Sequence, residues 1–317
     1  MENMKGLEIA RQYYEQYGIL MIHSEFSQYE SYLAAGLAGQ GSECFGFDDS
    51  YSRDHDFGPG FCIWIPERYW DNIGVRLSEA YENLPDMSCL WGITAPLYTE
   101  ERKKRIGVHT VESFYESLIG RKSAPETNLQ WLLIPDHFLA AAVNGEVFAD
   151  PLGEFSAIRK KLLGFYPEET MKKKMAARCA VMAQAGQYNY VRSIRRKMFE
   201  TAALCCCEFV TAALGALYLL NETYMPFYKW AFRGAEKFHE ASDVLEELKK
   251  FILLSDTSES MRKILLIERI CIRIRDSLVR RGWSYGEESF LEVHAERLTK
   301  QICDPQLKNL PIMEGRK

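Results

Sequence analysis

Two aspartates one residue apart, Asp54 and Asp56, are the side chains whose spacing most clearly suggests chemistry. On a strand, alternate side chains share a face, so both carboxylates would project to one side. Paired carboxylates make an oxygen-rich, strongly negative site. A hard cation such as Mg²⁺ accepts one or two such ligands and keeps positions for water and phosphate oxygens. Upstream stands Gly41-Ser42, with 11 residues between Ser42 and Asp54. Glycine at a corner lets backbone approach a phosphate closely, and the serine hydroxyl and nearby N–H groups can donate to it. Together these elements describe a site for a metal-bound phosphate ester.

The elements that must carry them follow from periodicity. Residues 6–17, 25–36 and 66–84 have the spacing of amphipathic helices. Apolar residues 33–37 running into a Gly-rich corner suggest a strand, as do 54–65, 90–94 and 106–110. The second of these is interrupted by Gly58-Pro59-Gly60, which requires an edge position or a bulge. A helix is expected over 111–118 and partial helix over 130–144, followed by an Asn144-Gly145 turn and the short segment Glu146–Ala149. Beyond 168 the pattern is helical over 168–185, 187–220, 225–239, 241–254, 257–281 and 287–303. The expected class is α+β: an N-terminal mixed sheet with flanking helices over 1–160, then an all-α bundle over 161–317.

Composition agrees with this class and narrows the function. Of the 317 residues, 47% are hydrophobic and 26% charged, as in ordinary globular chains. The net charge of −5 is unevenly spread. Residues 1–150 hold 23 acidic and 11 basic side chains, and the remainder 21 and 28, so the halves carry −12 and +7. An acidic half suits metal-ion chemistry and a basic half suits an anionic ligand such as a triphosphate. The most apolar stretch, 201–220, contains Glu208 and reads as a core helix rather than a membrane span. No basic region followed by an apolar run opens the chain, so a cytoplasmic location without membrane partners is expected. The nine cysteines form no Cys-x-x-Cys pair, and Cys205, Cys206 and Cys207 point in different directions on a helix. They read as buried thiols, not zinc ligands. The sequence also lacks a Gly-x-x-x-x-Gly-Lys-Ser/Thr phosphate loop, a Gly-x-Gly-x-x-Gly fingerprint and a His-Glu-x-x-His motif.

The combination of Gly-Ser, a spacer of this length and Asp-x-Asp-apolar resembles the signature of the DNA-polymerase-beta-like nucleotidyltransferase superfamily. That superfamily includes the aminoglycoside and lincosamide antibiotic nucleotidyltransferases. More narrowly, GSECFGFDD…SRDHDFGPGF is similar to a bacterial subfamily described only as a domain of unknown function. The likeness extends to 145–155, 188–197 and 220–230. It implies that Asp54 and Asp56 bind Mg²⁺, as a two-metal site, and that Gly41 and Ser42 contact the triphosphate. It further implies in-line transfer of a nucleoside monophosphate, most often AMP from ATP, with loss of pyrophosphate. A lysine and aromatic residues of the helical part would complete the nucleotide site. Lys229 is the candidate, with Tyr188, Asn189, Arg192 and Arg195 in support. The superfamily's usual third carboxylate is not obvious. Residues 105–110 contain no acid, which leaves His109, Glu112 and Asp136 as candidates, while Asp150 reads as a turn aspartate. A small-molecule acceptor is favoured over a protein or tRNA. The rival expectation is a nucleotide-binding protein of this fold that transfers nothing.

Overall fold

The computed structural model describes residues 4–53, 56–93 and 100–316. It is a mixed α+β protein, with a small sheet in the N-terminal part and helices thereafter. The chain forms two compact units. Unit 1 takes residues 1–124 and 138–164, and unit 2 takes 125–137 and 165–317. The excursion 125–137 into unit 2 has local causes. The Asn128 amide donates to Asp304 at 2.8 Å, the Thr170 hydroxyl donates to the Asn128 carbonyl at 3.2 Å, and Leu132 packs with Ile302 and Leu307.

Unit 1 holds four short strands: β1 (Ala34–Leu37), β2 (Cys62–Ile65), β3 (Gly107–Thr110) and β4 (Glu146–Ala149). Their order is β3-β2-β1-β4. β1 is antiparallel to both β2 and β4, whereas β2 and β3 are parallel. Both faces of β2 are covered, which explains its unbroken apolar run. Ile63 and Ile65 join Ile9, Tyr13, Ile22, Phe26, Ile73 and Leu77 on one face. Trp64, on the other, stacks on Phe155 at 3.9 Å and meets Phe114 edge-on.

Three expected elements differ. Helix ends at Glu25, and only a short 3₁₀ turn, Glu30–Tyr32, separates it from β1, because the buried Ala-Ala-Gly-Leu run is claimed by two strand partners. In place of a strand at 90–94 there is a 3₁₀ turn, Ser88–Trp91, begun by the Asp86 carboxylate accepting from the Ser88 N–H at 3.0 Å; Thr94 lies outside the described residues. Among the described residues, the strand expected over 54–65 begins at Cys62. Arg102 takes the carbonyl oxygens of Asp56, Gly58 (2.7 Å) and Pro59 (3.4 Å), so this stretch bonds to a guanidinium and not to a ladder.

In unit 2 the helix Glu168–Met182 is buried almost all round, against Leu291–Gln301 and Phe199–Leu220. Many of the buried residues on these helices are small, among them Ala176, Ala180, Ala212, Ala213 and Ala216, which suits close packing. Phe199–Leu220 is long and apolar enough to cross a membrane, but 67% of its most apolar window is buried in the protein, the pattern of a core helix.

Three histidines make stability depend on pH. Burial lowers the pKa of His109, His137 and His294 below the ordinary 6.5. In the window below 6.5 the unfolded chain therefore binds more protons than the folded one, and stability rises with pH. The contribution is complete above about pH 7 and is lost progressively as pH falls below about 6.5. The urea midpoint at pH 5.5 should lie below that at pH 7.5; equal midpoints would contradict the assignment.

Candidate functional site

Topology gathers one end of the sheet into a site. Gly36 pairs with Cys62, and Cys62 with Gly107. The segment leaving β1, the segment entering β2 and the segment entering β3 therefore meet at the same end. The first carries Gly41, Ser42 and Glu43, the second Asp56, and the third Arg102 and Arg105.

The corner after β1 is fixed from β4's side. The Asn144 side chain accepts from the Gly39 N–H at 2.8 Å and donates to the Gly39 carbonyl at 2.7 Å. The Gly145 N–H donates to the Cys44 carbonyl at 2.8 Å. Gly145 has φ +64°, and a Cβ there would fall 1.9 Å from the Leu37 carbonyl oxygen, so only glycine fits. Ser42 opens a 3₁₀ turn, Glu43–Phe45, and its carbonyl accepts from the Phe47 N–H at 2.8 Å. No described residue takes up its hydroxyl.

Charge concentrates beside this corner. Glu43 and Asp56 are largely buried, with side chains 11% and 13% exposed. Arg102, at 3%, stands 3.8 Å from Glu43. Arg105 stands 3.8 Å from Glu43 and 3.7 Å from Asp56, and also donates to the Gln40 carbonyl. A Cβ at Gly41 would lie 2.7 Å from Glu43 Oε2 and 2.8 Å from Arg105 Nη1, so a larger residue there would displace the tips of both side chains. Asp56 has φ +56°, in a bend ahead of β2. Its carboxylate is thus aimed by the bend and the two arginines, not by strand alternation. Its expected partner Asp54 lies outside the described residues.

The donor set suits a hard divalent cation. Glu43 and Asp56 offer carboxylate oxygens and Ser42 a hydroxyl, and one cation, the Arg105 guanidinium, already stands between the two acids. Among the described residues no three His, Cys, Asp or Glu side chains form a ready-made metal cluster.

The other expected residues fall elsewhere. His109 lies within β3, paired with Trp64, and its Nε2 is buried without a hydrogen-bond partner among the described residues. Burial lowers its pKa below the ordinary histidine value, disfavouring the imidazolium. Glu112 lies beyond the opposite end of β2 and β3, where its carboxylate accepts from the Glu67 N–H at 2.9 Å. It starts the 3₁₀ turn Glu67–Tyr69 and does not join the corner, because register carries it past Thr110. Asp150 is a turn residue, accepting from the Gly153 and Ser156 N–H groups at 2.9 and 2.7 Å.

Asp136 belongs to unit 2, where Lys174, Arg178 and Tyr166 donate to it at 2.7, 2.9 and 2.8 Å. Burial pushes its carboxyl up, but the two cations and the hydrogen bonds outweigh it and hold the group well below the usual carboxylate range. Its oxygens serve a structural ion network. Also in unit 2, Arg192 lies over the Tyr188 ring at 4.5 Å. These two flank the end of a π-helical stretch, Ala183–Tyr190, a geometry frequent at functional sites. Asn189 lines a groove with Gln184, Thr201, Cys205, Glu208 and Arg316. Lys229 is exposed, with its ammonium 4.5 Å from the Trp230 ring centre.

Residues 131–231, about a third of the chain, match the model of a family described as a domain of unknown function, DUF4037. No curated protein and no solved structure matches the chain. The matched stretch includes Asp136, Lys174, Arg178, Tyr188, Arg192 and Lys229, together with the Asn144-Gly145 turn that pins the corner.

Glu43, Arg102, Arg105 and Asn144 carry much of the site's geometry, yet sequence reasoning did not single them out as site residues. One signal was available: Glu43 directly follows Gly41-Ser42. The arginines lie some 60 residues downstream in a basic run that resembles a solvated surface.

Proposed function

We propose that this protein transfers a nucleoside monophosphate, in the first instance AMP from ATP, to a hydroxyl of an acceptor. The observation that carries this reading is the convergence, at one sheet end, of the Gly41-Ser42 corner, the Glu43 and Asp56 carboxylates and the Arg105 guanidinium. The glycine corner brings backbone to the phosphates, and the free side of Ser42 donates to them. Glu43 and Asp56, with Asp54, would hold Mg²⁺. When bound, the metal neutralises charge on the triphosphate and its transition state. The acceptor oxygen then bonds to the α-phosphorus while the bond to the bridging oxygen breaks. Pyrophosphate leaves with that electron pair, and the hydroxyl proton passes to a carboxylate of the site.

A small-molecule acceptor is favoured over protein or tRNA by the likeness to antibiotic-modifying enzymes. For Tyr188, Arg192 and Lys229 a nucleotide-binding role is proposed on the sequence likeness alone. We also propose a cytoplasmic location, because all nine cysteines are free, several of them exposed. A second reading, nucleotide binding without transfer, is favoured by one observation: both described acids of the site face arginines that already neutralise them.

Pyrophosphate release separates the two. With Mg²⁺ and mixed small-molecule acceptors, transfer predicts release above the acceptor-free rate from at least one nucleoside triphosphate. Metal-dependent binding of the triphosphate with no release under any acceptor mixture supports the second reading.

A further inference from the structure

Arg102 and Arg105 are three residues apart on the helix Glu100–Arg105, and both approach the corner, yet their surroundings differ. Arg102 is 3% exposed and donates to three consecutive-segment carbonyls, those of Asp56, Gly58 and Pro59. It is a fixed prop for the bend that aims Asp56. The Arg105 side chain is 26% exposed. Its hydrogen bond goes to a neutral main-chain carbonyl, that of Gln40. Its approaches to Glu43 and Asp56, 3.8 and 3.7 Å, are longer than hydrogen bonds. A planar fork suited to bidentate recognition is therefore held between two anions without engaging either. It lies against the bare Cα of Gly41, where a phosphate on the Gly-Ser corner would have to arrive.

We propose that Arg105 is an exchangeable counter-ion: in the empty protein it neutralises Glu43 and Asp56, and when a divalent cation and triphosphate bind it gives up the carboxylates and contacts the phosphates. The proposal rests on the nucleotide reading given above. Its logic is electrostatic. Two neighbouring carboxylates left without a cation repel one another. An entering Mg²⁺ takes over that neutralising role and repels the guanidinium. The phosphates, arriving with the metal, offer the guanidinium a doubly accepting partner in a partly buried setting. Arg105 thus competes with metal alone and cooperates with metal plus triphosphate, and these two effects have opposite signs.

Calorimetry on the full chain tests this with Mg²⁺ alone and with Mg²⁺ plus ATP, using wild type, Arg105→Ala and Arg105→Lys. In Arg105→Ala, affinity for Mg²⁺ alone should rise, by about threefold to tenfold for one unit charge near a partly screened site. Affinity for Mg²⁺ plus ATP should fall about tenfold to a hundredfold, the range for a charge-assisted contact. Arg105→Lys keeps the charge and lacks the fork, so it should bind Mg²⁺ as wild type does and ATP with intermediate affinity. Equal losses of both ligands in Arg105→Ala would make Arg105 a structural prop like Arg102 and overturn the proposal. ATP binding in wild type with no change in Arg105→Ala would overturn it too, leaving the nucleotide reading intact. Absence of ATP binding in wild type would overturn both.

Discussion

Replacing Asp54 and Asp56 together by asparagine is expected to lower nucleotide transfer by roughly a thousandfold or more while the fold survives. The substitution keeps side-chain shape and removes two negative charges. Asparagine is also among the few residues that tolerate the φ of +56° found at residue 56, so the bend itself should persist. On the proposed mechanism, what is lost is the ability to hold a divalent cation beside the triphosphate. Arg105 would lose one of the two acids it now faces and keep Glu43. Residual binding of nucleotide without transfer is therefore the expected phenotype. Circular dichroism and transfer rates measured on the same preparation check it. Transfer within a few-fold of wild type would remove Asp54 and Asp56 from the chemistry.

The second large effect concerns stability. Asp136→Leu should destabilise the protein by roughly 3–5 kcal/mol, because it leaves buried cations without their counter-charge. Lys174 has no exposed side-chain surface and Arg178 has 3%. Burial already lowers the Lys174 pKa despite Asp136 beside it. Arg178 also bonds to the Arg316 carbonyl, and Lys174 donates to Asp136 at 2.7 Å and lies over the Tyr166 ring. Adding Lys174→Met to Asp136→Leu should restore part of the loss, since it removes one of the two buried cations that Asp136 serves and leaves Arg178 in place. Urea midpoints of the three proteins measure this. A single mutant as stable as wild type would mean that the network contributes nothing to folding.

The two cases also mark where sequence reasoning succeeds and where it stops. Helical blocks over 168–185, 241–254 and 257–281 carry their own periodicity, and the structure has helices at Glu168–Met182, Ser242–Leu253 and Ser260–Arg280. The apolar run into Gly39 announced β1, and the Asn144-Gly145 turn marked the start of the short segment that forms β4. Each of these signals is local. The misreadings share a non-local cause. The segment ahead of β2 looked like strand until Arg102, over 40 residues away, claimed its carbonyls. Asp136 looked like an available carboxylate because nothing near it in sequence reveals Lys174, Arg178 and Tyr166 as its partners. Glu112 looked close to the chemistry because it follows β3, but parallel pairing with β2 sends it to the opposite end of the sheet. Gly41 and Ser42 were legible because a corner's composition is fixed by its own backbone. Arg105 was not, because only the register of β3 beside β2 brings it to that corner.

The most direct test of the account follows the α-phosphate. ATP carrying label in that phosphate is incubated with the protein, Mg²⁺ and a cell lysate, and the small-molecule, protein and RNA pools are then separated. The account predicts label in the small-molecule pool with wild type and none above background with Asp54→Asn/Asp56→Asn. Equal label from both proteins, or no label in any pool with wild type, would contradict it.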